Sequence, residues 1–190
     1  MEKTIKNLTK AFIGESQARN RYTMYAKIAK KEGYEEISAN FILTSDQETE
    51  HAKWLMRMIN QLKGNNTEYD EIVVEAGAPT ILKDTKENLK AAIGGENYEY
   101  TTMYPEFADV AEEEGLLDIA NRLRSIAKAE ANHEDRYKRF LETLENGLVF
   151  KKEEEVVWVC RKCGYTHKGK EAINECPSCG HPQSYFEVKK

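Results

Sequence analysis

The chain has 190 residues, with 28 Lys and Arg against 33 Asp and Glu, a net charge of −5. That acidic balance argues against a nucleic-acid binder, which needs a clustered basic face, and no apolar run approaches the roughly 20 residues of a membrane span. Met1-Glu2-Lys3-Thr4 leads straight into an amphipathic stretch rather than a signal peptide, so a cytoplasmic protein with no nucleic-acid or membrane partner is expected.

Of the acids, 27 are Glu, a bias that favours helix because Glu keeps its rotamer freedom there whereas Asp competes for the backbone. Four long helical patterns follow in chain order. The first runs from about Thr4 to Lys31, with Leu8, Phe12, Tyr22, Tyr25 and Ile28 at helical spacings, and Gly33 stops it. The second runs from about Glu35 to Leu62, the third from Asp84 to Glu114, and the fourth from Leu116 to Leu144, closed by Gly64, Gly115 and Gly147. Short turns at Gly33 and Gly115 make two antiparallel pairs, and residues 63–83 form one long connection between them. Two hairpins joined by a long crossover is the ferritin-like topology of four-helix bundles.

The two hairpins read as diverged copies. An offset of 82 carries Ala29 to Ala111, Glu32-Gly33 to Glu114-Gly115, Glu48 to Glu130 and His51 to His133, whereas Gly14-Glu15 matches Gly95-Glu96 at an offset of 81. The third helix therefore holds one extra residue, in a stretch that contains Pro105. A single inserted residue is commonly absorbed as a π-bulge.

Glu48…His51 and Glu130…His133 are Glu-x-x-His pairs, and residues three apart on a helix share a face. Counted from the turns at about 1.5 Å per residue, Glu15, Glu48, Glu96, Glu99 and Glu130 all fall in one layer. One Glu from each of two helices and a Glu-x-x-His from each of the other two is the ligand set of di-metal carboxylate bundles. Five carboxylates turned inward would repel one another without cations, and two divalent metals supply four positive charges. The alternative, glutamates on solvated helix faces, holds for most of the 27 but does not explain the duplicated pattern.

Residues 151–155, Lys-Lys-Glu-Glu-Glu, read as a charged linker before Val156-Val157-Trp158-Val159, a strand-like run. Cys160-x-x-Cys163 and Cys176-x-x-Cys179 follow, each pair with a glycine after it, Gly164 and Gly180. Four clustered thiols in a reducing compartment imply a metal rather than disulfides. Spacing leaves zinc and iron open, with a structural zinc ribbon the commoner use. His167 and His181 read as surface residues beside the module rather than extra ligands. The expected architecture is mainly α: a four-helix bundle over residues 1–150, then a small β-rich metal domain over 151–190.

Taken together the chain resembles the rubrerythrin family, over essentially its whole length. The residues that carry the resemblance are Gly14-Glu15-Ser16-Gln17-Ala18, Glu48-Thr49-Glu50-His51, Gly95-Glu96-Asn97-Tyr98-Glu99-Tyr100, Met103-Tyr104-Pro105-Glu106, Ala129-Glu130-Ala131-Asn132-His133 and the two Cys-x-x-Cys pairs. The resemblance implies a ferritin-like di-iron bundle with a rubredoxin-like domain, hence two irons in the bundle and one, not zinc, at Cys160, Cys163, Cys176 and Cys179, although zinc can substitute. It implies that Glu48 and Glu130 bridge the irons, that Glu15 and Glu96 are terminal ligands and that His133 holds one iron. The other iron exchanges Glu99 for His51 on reduction. Tyr22 and Tyr104 fall where the family places tyrosines just outside the ligands, and both also read as ordinary core aromatics. The implied activity is an NADH-linked peroxidase that reduces hydrogen peroxide to water in oxidative stress defence, fed by a reductase or electron carrier. About 18 Å of helix separates His133 from the end of the bundle, so a head-to-tail homo-oligomer is expected to bring one chain's tetracysteine iron to its partner's bundle. A ferritin-like ferroxidase is the alternative, disfavoured because storage has no use for an appended electron carrier. A colourless scaffold with zinc in the ribbon is a third.

Overall fold

The computed structural model describes residues 1–189. Helices α1 (Glu2–Lys31) and α2 (Glu35–Lys63) form the first hairpin. The second is built from α3 (Thr85–Tyr98), a π-helical turn (Glu99–Met103), α4 (Tyr104–Glu113) and α5 (Leu117–Glu145). Each helix boundary lies within two residues of the one expected from the sequence. The single third helix is instead three consecutive segments, and the extra residue is absorbed as a π turn, with Pro105 placed in the first turn of α4 where its missing N–H costs least. Both hairpin turns close alike. Gly33 and Gly115 take φ of 86° and 76°, and the next residue's N–H reaches back to close the helix, Tyr34 to the Ala29 carbonyl and Leu116 to that of Ala111, each at 2.8 Å.

The bundle interior is two apolar slabs with a polar layer between them. Ile5, Leu8, Leu55, Met58, Leu123 and their neighbours fill one slab; Tyr22, Tyr25, Phe41, Leu89 and Tyr137 fill the other. Each fully buried side chain of this size contributes roughly 1.5–3 kcal/mol, which is what offsets the cost of the charged layer held between them. The crossover has one short 3-10 turn, Thr67–Tyr69, and otherwise irregular backbone tied down by side chains. Gln17 Nε2 donates to the Gly77 carbonyl at 3.2 Å and Tyr25 Oη to that of Ile81 at 2.7 Å.

The hairpins also clasp each other at their ends. Glu114, in the second turn, accepts from the Thr4 N–H at 2.9 Å and the Thr4 hydroxyl at 2.6 Å. Glu32, in the first turn, accepts from the Thr85 N–H at 3.1 Å. Thr4 and Thr85 are both fully buried.

Strands β1 (Lys151–Cys160), β2 (Thr166–Glu171) and β3 (Phe186–Val188) form an antiparallel sheet of order β2-β1-β3. The charged run 151–155, expected to be a linker, is therefore the first half of β1. Lys151 pairs with Glu171 across the sheet, and the register shifts between Lys151 and Val156: β3 pairs only with Trp158–Cys160, so the charged half of central β1 has a partner on one side alone and stays open to solvent. Trp158 and Phe186 make the module's core, and the Trp158 indole donates to the Gly169 carbonyl at 3.0 Å. The module rests on the Gly33 end of the bundle, where Tyr34 stacks on Phe150 at 6.4 Å. Among the described residues no helix is long and apolar enough to cross a membrane.

Candidate metal centres

All the inward residues expected from the sequence meet in the polar layer. Glu15, Glu96 and Glu130 are fully buried, Glu48 and His133 are 1% and 2% exposed, and Glu99 is 8% exposed. Their donor atoms form two groups, each with all its atoms within 4.8 Å of one another: Glu15, Glu48, His51 and Glu130 in one, Glu48, Glu96, Glu130 and His133 in the other. Glu48 and Glu130 belong to both. Their two oxygens part company accordingly, with Glu48 Oε2 at 3.0 Å and Glu130 Oε1 at 2.9 Å from His51 Nδ1, and Glu48 Oε1 at 3.2 Å and Glu130 Oε2 at 2.8 Å from His133 Nδ1. The imidazoles lie nearly parallel, 5.9 Å apart. Glu99 is in the layer but in neither group.

The residues fit a pair of cations by a direct test. Buried oxygens and nitrogens normally find hydrogen-bond partners, yet Glu15 Oε2, Glu48 Oε1, Glu96 Oε2, both Glu130 oxygens and His133 Nδ1 have none. They approach one another closely without hydrogen-bond geometry, as donor atoms do around a shared ion. The electrostatics agree. Burial, reinforced by the neighbouring carboxylates, pushes Glu15 and Glu99 well above the usual carboxylate range and Glu96 to about 8. Burial opposes charge on His133 as well, but Glu130, Glu48 and Glu96 outweigh it and lift the imidazole to about 12. Burial likewise disfavours charge on Glu48, but the two histidines pull it down to about 2. Bound cations would take over this pairing.

Two tyrosines brace the layer crosswise. Tyr22, from the first hairpin, donates to Glu96 Oε1 of the second at 2.5 Å, and Tyr104, from the second, donates to Glu15 Oε1 of the first. Both rings are buried. They are packed in the core and hydrogen-bonded to Glu96 and Glu15 at once, so the two readings of these tyrosines are not exclusive.

The sequence reading passed over the flanks of the α2–α5 seam. Trp54 lies beneath the Arg122 guanidinium, 3.7 Å from ring centroid to carbon, beside His51. On the His133 side, Arg136 instead donates to Thr44 Oγ1 at 3.1 Å and Gln47 Oε1 at 2.8 Å. The duplication offset of 82 maps Trp54 onto Arg136 and is the signal that could have found them.

In the small module the four cysteine sulfurs lie within 4.8 Å of one another, with 3.8 Å between Cys160 and Cys179 and 3.6 Å between Cys163 and Cys176. Gly164 and Gly180, at φ of 79° and 68°, let their N–H groups turn back to the Cys160 and Cys176 carbonyls at 2.8 Å each. The backbone N–H of Tyr165 draws the Cys163 thiol down to about 6. His167 and His181 take no part in the sulfur cluster. His181 packs edge-on to Tyr185 at 4.6 Å.

Comparison with known proteins accounts for both halves. Residues 6–141 match the Rubrerythrin family model, and residues 158–187 match the model described as Rubrerythrin, rubredoxin-like domain. A putative rubrerythrin of Methanocaldococcus jannaschii is 58% identical over 100% of this chain and 94% of its own length. A rubrerythrin of Porphyromonas gingivalis is 51% identical over 99% and 90%. Solved structures of nigerythrin, one in a mixed-valence and one in an all-ferrous state, match at 29% and 30% identity with TM-scores of 0.64, covering 98% of this chain and 86% of theirs. The family binds a di-iron pair and a rubredoxin-type iron, and the carboxylate–histidine layer and the four cysteines are where this chain holds them. With its two metal centres and both domain models matched in order, the chain belongs to the rubrerythrin family.

Proposed function

We propose that the protein is a peroxidase that reduces hydrogen peroxide to two waters, taking up two electrons and two protons. The observation that carries this reading is the unequal pair of donor groups: both share Glu48 and Glu130, and a fifth carboxylate, Glu99, stands buried beside them outside either group. Two irons held there would supply the two electrons and would polarise both peroxide oxygens at once.

The chain's own residues do the rest. Glu48 and Glu130, common to both donor groups, would hold both irons, Glu15 would serve the His51 side, and Glu96 with His133 would serve the other. Glu99 and His51 would be the alternative ligands to one of the two irons, which gives the fifth carboxylate its use. The Tyr22 hydroxyl holds its proton against Glu96 Oε1 and the Tyr104 hydroxyl against Glu15 Oε1, so each can orient a ligand and pass a proton inward. The apolar slabs above and below keep bulk water from the layer.

An iron held by the four cysteines of residues 151–190 would give electrons, supplied in the cytoplasm by an NADH-linked reductase or carrier, a way into the bundle of residues 1–150. Within one chain the module rests by the Gly33 turn, with Ser184 Cβ 3.7 Å from where a Cβ on Gly33 would be. Glu48 lies 15 residues further along the second helix, about 23 Å. A head-to-tail homo-oligomer shortens that path. A ferroxidase would use the bundle and leave the cysteine module idle.

The test is optical. Iron-loaded full-length protein, reduced without oxygen, should lose the visible bands of the ferric tetrathiolate and regain them on titration with hydrogen peroxide. Glu99→Ala and His51→Ala should slow the return by roughly 10- to 100-fold while leaving the tetrathiolate spectrum intact. Return at the parent rate in both variants would overturn the exchange, and no return in the parent would overturn the peroxidase.

A further inference from the structure

A groove of about 740 Å³ runs along the seam between α1 and α3, roofed by residues 75–79 of the crossover, and its floor reaches Glu99. Gly14 on α1 and Gly95 on α3 form its two walls. These glycines need explaining, since glycine is the least favourable residue in a helix interior after proline. Neither is required by the backbone: neither has positive φ. Neither is required by packing: a Cβ built on either meets no atom within 4 Å. The remaining consequence of glycine at these two positions is the open space itself, and the duplication puts it on both walls, one residue before the ligands Glu15 and Glu96.

That space is far larger than hydrogen peroxide, which has two heavy atoms, and lies within the roughly 300–1,000 Å³ of sites that take whole organic molecules. Its lining is apolar at Pro79, Met103 and Phe107 and charged at Lys10, Arg21, Glu75 and Glu106. We propose that this groove admits organic hydroperoxides, with the peroxide end at Glu99 and the organic group between Gly14 and Gly95, and that these two glycines set the size limit. The inference rests on the peroxidase reading above. The reaction is ROOH with two electrons and two protons giving ROH and water: the O–O bond breaks, one oxygen leaves as water and the other stays on carbon. The electrons come from the reduced iron pair, refilled through the tetracysteine iron by the external donor.

Cumene hydroperoxide and hydrogen peroxide are to be compared on the iron-loaded full chain, in the parent protein and in Gly14→Leu and Gly95→Leu. Leucine is a better helix former than glycine and its Cβ meets no atom within 4 Å at either position, so the variants should fold; far-UV circular dichroism and iron content verify this. The parent should turn over both peroxides. In each variant the ratio of kcat/KM for cumene hydroperoxide to that for hydrogen peroxide should fall by about 10- to 200-fold, the range of steric discrimination by added methylenes. Binding is read separately, by saturation-transfer NMR from the zinc-loaded full chain to 2-phenyl-2-propanol, the alcohol product. The signal should appear with the parent and vanish with Gly95→Leu. A parent that reduces hydrogen peroxide but not cumene hydroperoxide overturns the proposal, as does an unchanged ratio in both variants. If neither peroxide is reduced, the peroxidase reading has failed, and the alcohol signal alone decides the groove: binding that Gly95→Leu abolishes supports it, and absence of binding overturns it.

Discussion

In the first hairpin α1 runs unbroken for 30 residues, whereas its counterpart in the second is divided into α3, a π turn and α4. The register shows where they part. Gly14, Glu15 and Ala18 correspond to Gly95, Glu96 and Glu99 at an offset of 81, while Tyr22 corresponds to Tyr104 at 82. The extra residue thus falls where a buried alanine is replaced by a buried glutamate, and the π turn lets Tyr104 still reach Glu15. The flanks diverge too. The His51 side chain is 15% exposed beside Trp54, while His133 is 2% exposed, with the α2–α5 seam on its side bridged by Arg136. Duplication accounts for the shared carboxylate–histidine pairs, and departures from it mark where the layer differs in helix register and in exposure.

The sharpest way to break this comparison is to remove what both halves share, the metals. Ligands held at a thousandfold excess over Kd contribute about 4 kcal/mol, so chelation should lower Tm by roughly 8–16 °C for a chain of this size. The loss should depend on pH. Glu96 at about 8 lies above its unfolded value near 4.3, so the metal-free fold is penalised increasingly as pH rises towards 8. His133 at about 12 lies above its unfolded value near 6.5, so its stabilisation is full below that value and is lost as pH rises. Both slopes have one sign between pH 6.5 and 8. Thermal unfolding by circular dichroism should show the chelated protein losing Tm across that window, and a rising Tm there would contradict the charged-layer account.

A smaller effect isolates the π turn. Deleting Thr101, which is exposed, gives the second hairpin the register of the first but leaves a glutamate, Glu99, where the first hairpin buries an alanine, Ala18. Overpacking of that kind costs about 1–3 kcal/mol, and the cost should largely disappear when the deletion is combined with Glu99→Ala. Denaturant unfolding of the four proteins in the cycle measures the coupling. An equal penalty with and without Glu99 would separate the π turn from the fifth carboxylate.

Much of this was legible in the sequence because ligands on long helices obey a fixed rise. Glu48 and His51 three residues apart, repeated 82 residues on, imply a common height and face, and the slip from 82 to 81 located the inserted residue. The charged run 151–155 misled because this half of β1 lies beyond the reach of β3 and is solvent-exposed, which leaves no apolar alternation to read. The crosswise Tyr22–Glu96 and Tyr104–Glu15 bonds and the Arg136 seal depend on which faces meet across the bundle, which periodicity within one helix does not specify. Glu32 and Glu114 were visible only as turn residues: their partners, Thr85 and Thr4, lie 53 and 110 residues away.

Those two clasps give the finest comparison. They occupy equivalent places but not equivalent circumstances. Helix α1 has no side-chain cap of its own, so Glu114 is what satisfies the Thr4 N–H and hydroxyl. Helix α3 is already capped by Asp84, which accepts from the Glu87 N–H at 2.8 Å, and Glu32 adds one bond of 3.1 Å. Glu114→Ala should therefore cost about 1–2 kcal/mol, the upper part of the capping range, and Glu32→Ala about 0.5 kcal/mol, the lower. Burial raises the Glu114 carboxyl, but the Met1 amino group and the Thr4 hydroxyl and N–H together outweigh it and bring it down to about 2. A depressed carboxyl stabilises fully above its unfolded value near 4.3 and loses that contribution as pH falls towards 2. The Glu114→Ala penalty measured by urea unfolding should accordingly shrink from about pH 6 to about pH 3. Equal penalties for the two variants would mean that the duplicated clasps work alike, and that the cap on α3 does not relieve its glutamate.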